Sequence, residues 1–155
     1  MAIVSPDETF LRAFEDCTLP FEQWRHRAHL KVAYLYLRQL PFDDALIKVR
    51  TDIKRYNAST NTPEALERGY HETITAAWMR LVHFALCERG PAASAEEFVE
   101  REKDFLPKDG LFKFYSREQL ISWRAKAEFV EPDLAPFPKN GGTSYASPQA
   151  NQGLA

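Results

Sequence analysis

Apolar residues recur every three or four positions along most of this chain, the spacing of helices that bury one face. Over 5–17, Ser5, Pro6, Asp7 and Glu8 form a start signal, and Phe10, Leu11 and Phe14 follow at helical intervals. The segment 21–40, FEQWRHRAHLKVAYLYLRQL, has no interior proline or glycine. Thr18 is placed to cap it, Pro20 lies near its first turn, and Leu40-Pro41 ends it. A third helix is expected over 41–58, with Ala45, Leu46, Val49, Ile53 and Tyr56 on one face. The stretch 59–69 reads as a polar connection with a short turn after Pro63. A fourth helix is expected over 70–90, closed by Gly90-Pro91. Ser94 and Glu97 make a capping box ahead of a helix through Leu106, and Ser116 opens a last helical stretch to Val130. No run alternates with the strand period. The pattern predicts an all-α, single-domain bundle of about five or six helices over 1–138.

After Pro132 the chain turns rich in Pro, Gly, Ser and Asn. Residues 139–155 are expected to be a disordered tail, with 132–138 extended along the body. The length of 155 residues suits one domain with its own core. Residues 1–90 carry twelve basic and twelve acidic side chains, and 91–155 carry eight and ten. Neither part has the basic surplus of a nucleic-acid or anionic-membrane partner. No apolar stretch approaches the roughly 18 residues of a membrane span, and no secretory signal opens the chain. Cys17 and Cys87 are the only cysteines, which points to buried thiols in a reducing, cytoplasmic setting.

Three of the four histidines fall in two short stretches, RHRAHL and GYHETIT. His26 and His29 are three apart, which on a helix separates them by about 60° and about 4.5 Å. Such rings can converge on one metal, and the plain alternative is one packed ring and one solvated ring. His71 and Glu72 are neighbours, about 100° apart on a helix, so both can border one groove. Thr75 lies one turn beyond His71, placed to hydrogen-bond its ring. It also replaces the second histidine of His-Glu-x-x-His, which counts against a zinc protease. His26, His29, His71 and Glu72 form the candidate metal set, with Fe or Zn as the fitting ions and Glu72 and His71 as candidate catalytic groups. His83 falls too far along its helix to share that site. No nucleophile elbow, phosphate loop or dinucleotide fingerprint is present.

With FEQWRHRAHLKVAYLYLR, GYHETITAAW and SWRAKAEFVEPDLAPFP in view, the chain resembles a family of small, uncharacterised bacterial proteins over about residues 18–138. That resemblance implies a shared helical fold and a shared site, and no particular reaction. Two functions follow as expectations: a metal-dependent small-molecule enzyme with a His/Glu site between two helices, or a non-catalytic helical module that binds a small ligand or a protein through a buried histidine cluster.

Overall fold

The computed structural model describes residues 4–140. Among them seven α-helices form: α1 Pro6–Glu15, α2 His26–Gln39, α3 Phe42–Ser59, α4 Glu72–Arg89, α5 Ala95–Arg101, α6 Arg117–Leu120 and α7 Trp123–Ala127. Two single 3₁₀ turns, Phe21–Gln23 and Gly110–Lys113, complete the regular structure, and no strand occurs among the described residues. No helix there is long and apolar enough to cross a membrane.

Five helices, α1 and α3 to α6, start as the sequence predicts or nearly so. The Ser5 hydroxyl accepts from the Glu8 amide at 3.1 Å, with Pro6 at the first helical position of α1. Ser94 does the same for Glu97 at the head of α5. Gly90, at φ 77°, closes α4 in the left-handed region that side chains disfavour. The expected helix over 116–130 is two helices. Ser122 is extended and its hydroxyl accepts from the Ala125 amide at 3.1 Å, so it caps a new start, and the count rises to seven.

The expected helix over 21–40 also breaks, at Trp24 and Arg25. Trp24 has ψ 75° and Arg25 is fully extended. The break turns the Trp24 ring onto Phe14, with centroids 4.7 Å apart and planes 20° apart. Tertiary stacking thus overrides an unbroken helical pattern. Thr18, the expected cap, instead binds Asp16 and the Ala13 carbonyl.

Helix α2 is the centre of the bundle. Eight of its residues, from Ala28 to Leu37, are buried on more than one face, as befits a helix packed against α3, α4 and α5. Tyr36 donates from this core to Asp52 of α3 at 2.6 Å, where Lys48 and Arg55 balance the buried carboxylate. Glu102 is buried at 2% exposure and receives Arg89 and Arg101.

From Glu131 to Asn140 the chain runs without regular structure along the body. The Leu134 amide donates to the Phe114 carbonyl at 2.9 Å, and Phe137 packs on Phe114 and Tyr115. This is the extended 132–138 segment expected from the sequence. Asn140, placed in the tail by the sequence reading, donates to the Phe84 carbonyl and to Glu88 at 3.3 and 2.7 Å. The rest of the expected tail lies outside the described residues.

Candidate functional site

Because α2 begins at His26, that residue occupies the first turn and not the interior of a longer helix. Its Nε2 meets the Leu106 carbonyl at 2.9 Å, and its ring packs on Trp78. His29 folds back one turn, with Nδ1 2.8 Å from the Arg25 carbonyl and its ring 3.8 Å from Trp24. A ring nitrogen facing a carbonyl must carry the hydrogen, so each neutral ring donates there. Burial pushes both histidines below their ordinary pKa, His29 to about 4, against the opposing pull of the Arg25 carbonyl. His29 is therefore a neutral imidazole whose Nε2 lone pair has no partner among the described residues.

His71 sits one residue before α4 and caps it. Its Nδ1 accepts from the Ile74 amide at 3.0 Å, and its Nε2 donates to the Leu120 carbonyl at 2.9 Å. Both ring nitrogens are engaged, and burial lowers this pKa as well. The expected Thr75 contact to the ring is not what forms: the Ile74 amide takes that place.

Glu72, one residue on, points elsewhere. Its carboxylate receives Arg50 Nε and Nη2 at 2.8 and 2.7 Å and the Tyr70 hydroxyl at 2.7 Å. The Arg50 guanidinium holds the Glu72 carboxyl below the usual carboxylate range, against burial. Glu72 lines an open cleft of about 810 Å³ with Arg50, Lys54 and Trp123.

His29 and His71 do come together. Both line a more enclosed cavity of about 390 Å³ between the ends of α2, α3 and α4, roofed by the 62–71 connection. Trp24, Ile53, Leu66 and Ile74 supply apolar wall, and Asn57 and Thr75 supply polar groups. Asn57 is only 8% exposed, its carboxamide makes no hydrogen bond among the described residues, and its polar atoms are not fully shielded, so they remain open to the cavity. Lys126 of α7 fixes the roof: its ammonium donates to the Arg68 and Tyr70 carbonyls at 2.7 and 2.6 Å and to Glu64 at 3.0 Å. The Glu64 carboxylate balances its charge, so Lys126 brings little free charge to the cavity.

Neither Asn57 nor Lys126 stands out in the sequence as a site residue. Asn57 carried one available signal, a polar residue one position after Tyr56 on the buried side of α3.

The expected metal set does not assemble as a ligand sphere. His71 has no ring nitrogen left, Glu72 has both oxygens in hydrogen bonds, and His26 keeps only Nδ1. Among the described residues no group of three His, Cys, Asp or Glu side chains is placed to hold a metal ion. His83 is away from this cavity, as its spacing implied. It lies edge-on to Phe42, and both its nitrogens are 3.9 Å from the Cys87 sulfur.

No protein-family model, curated protein or solved structure matches the chain.

Proposed function

We propose that this protein is a helical small-molecule-binding module whose ligand enters the His29–Asn57 cavity. The observation that carries the reading is one cavity lined by both the Asn57 carboxamide, which makes no hydrogen bond among the described residues, and a neutral His29 whose Nε2 is open. The imidazole accepts a hydrogen bond, and the carboxamide both donates and accepts. Their complement is a ligand with a polar N–H beside a carbonyl: an amide, lactam or imide. The apolar wall favours a flat body against Trp24, the usual design of few polar groups in a mostly apolar site. Charge is unwelcome there, since His29 resists protonation and Lys126 is already engaged.

A metal-dependent enzyme is the weaker reading, because the donor atoms it needs are committed to backbone groups and to Arg50. No step is assigned to a metal.

The test is protein-observed NMR with phenylacetamide, 2-piperidone and uracil at millimolar concentration. The expected result is perturbation of the Trp24 indole and the His29 ring by at least one probe, lost in Asn57→Leu. Silence at both residues with all three probes overturns the proposal.

A further inference from the structure

The geometry points to a second binding site, at Arg80, for a carboxylate carried on an apolar body. Arg80 lies on α4 facing the segment after Val130. Its guanidinium carbon stands 4.2 Å from the Phe129 ring centroid and 5.9 Å from that of Phe42. Stacking on an aromatic face is a favourable setting for this cation, yet it satisfies none of the five N–H donors. Among the described residues no acceptor meets any of them, no carboxylate pairs with the charge, and Nε is fully shielded. Every other arginine with a shielded carboxylate beside it, such as Arg50 with Glu72 or Arg89 with Glu102, is paired.

Arg80 opens into a cleft of about 770 Å³, distinct from the His29 cavity and walled by Phe42, Phe84, Leu134 and Phe137. The other charged or titratable residues lining it are His83, Glu131, Asp133 and Lys139. Asp133 is committed to the Ser116 amide and hydroxyl at 2.8 and 2.6 Å. Glu131 is exposed to solvent. The half-buried cation therefore has no fixed local anion, while apolar rings surround it. A planar carboxylate can accept two parallel N–H bonds from a guanidinium, and its hydrocarbon part can rest on the phenylalanines. The ligand class is a small aryl or alkyl carboxylate.

The experiment titrates the full chain with phenylacetate and, separately, with phenylacetamide, watching His83 and Phe129 by NMR. Phenylacetate should perturb both, with phenylacetamide about 10- to 100-fold weaker there, the range expected for one charge-assisted pair. Arg80→Met keeps the stem over Phe129 and removes the charge, so it should fold with an unchanged or higher melting temperature and lose the same factor in phenylacetate affinity. Equal binding of the two probes, unaltered affinity in Arg80→Met, or perturbation confined to Trp24 and His29 would each overturn the site. A clear fall in the melting temperature of Arg80→Met would assign Arg80 to packing instead.

Discussion

Arg50 of α3 grips Glu72 of α4 through two parallel hydrogen bonds of 2.8 and 2.7 Å, in the cleft that shares Tyr70 with the candidate cavity. Tyr70 completes the carboxylate and lines the cavity on its other side. The pair therefore positions the wall of the site. Its effect on stability depends on pH. The folded carboxyl titrates below its ordinary 4.5, so the stabilisation is complete above that value and fades as pH falls through the lowered one. Glu72→Gln should flatten this part of the acid limb. Urea melts of both proteins from pH 6 to 3 measure it, and parallel limbs would count against the pair.

His29 should titrate near pH 4. Unfolded, the same ring takes a proton at about 6.5. Between those values the unfolded chain binds the extra proton, so stability falls as pH drops from about 6.5 to about 4. A neutral ligand that donates to Nε2 should bind equally well from pH 7 to 5 and more weakly through pH 4. The Cε1–H resonance of His29 reports the titration; a midpoint near 6.5 would refute the description of the ring.

Asn57 offers a separation of stability from binding. Its carboxamide makes no bond among the described residues, so Asn57→Leu removes a polar group that contributes little to folding. The variant should unfold at the same or a higher temperature. Tyr56→Phe, its neighbour, deletes a hydroxyl that donates to the Leu19 carbonyl at 2.7 Å, and should cost about 1 kcal/mol. A larger loss for Asn57→Leu than for Tyr56→Phe would show that Asn57 is a packing residue.

Glu102 predicts an asymmetry. Its carboxylate is almost fully buried, whereas Arg89 and Arg101 are 42% and 32% exposed at their side chains. Removing the carboxylate lets both guanidiniums reach water. Removing both arginines strands a buried anion. The double variant Arg89→Met/Arg101→Met should lose about 3–5 kcal/mol at neutral pH, and Glu102→Gln clearly less. Reversal of that order in chemical denaturation would contradict the burial of Glu102.

The segment after Val130 should carry stability up to Asn140. Phe137→Ala should cost less than the roughly 3–5 kcal/mol of a fully buried phenylalanine, since its ring is only half-buried. Ending the chain after Pro132 should cost more than Phe137→Ala alone, because the Leu134 amide bond goes too. Equal melting temperatures for the full chain and the chain ending at Pro132 would dismiss the packing of this segment.

The helical class was legible because Phe10, Leu11 and Phe14, or Ala45, Val49, Ile53 and Tyr56, repeat at a period that only a helix satisfies. Ser5 and Ser94 were legible because their capping bonds are local. The break at Trp24 was not, since its cause is Phe14, ten residues away in sequence. The meeting of His29 and His71 around one cavity follows from two helices whose starts lie close together, which the pattern suggested. The fate of their nitrogens depends on the Arg25 and Leu120 carbonyls, and a backbone acceptor leaves no mark in a sequence. The same holds for Asn57, whose significance is an unmade bond.

The two histidines that reach across the fold have a kinetic meaning. His26 tethers α2 to Leu106, and His71 tethers the head of α4 to Leu120. The region they hold, from α5 onward, is built of helices of seven, four and five residues, too short to persist alone. Those turns borrow their order from the long helices through the imidazole struts. Amide protons of Leu120 and Ala125 should then exchange with solvent only when α2 and α4 open, which makes the last third of the domain one cooperative unit with its centre and not a separately fraying layer.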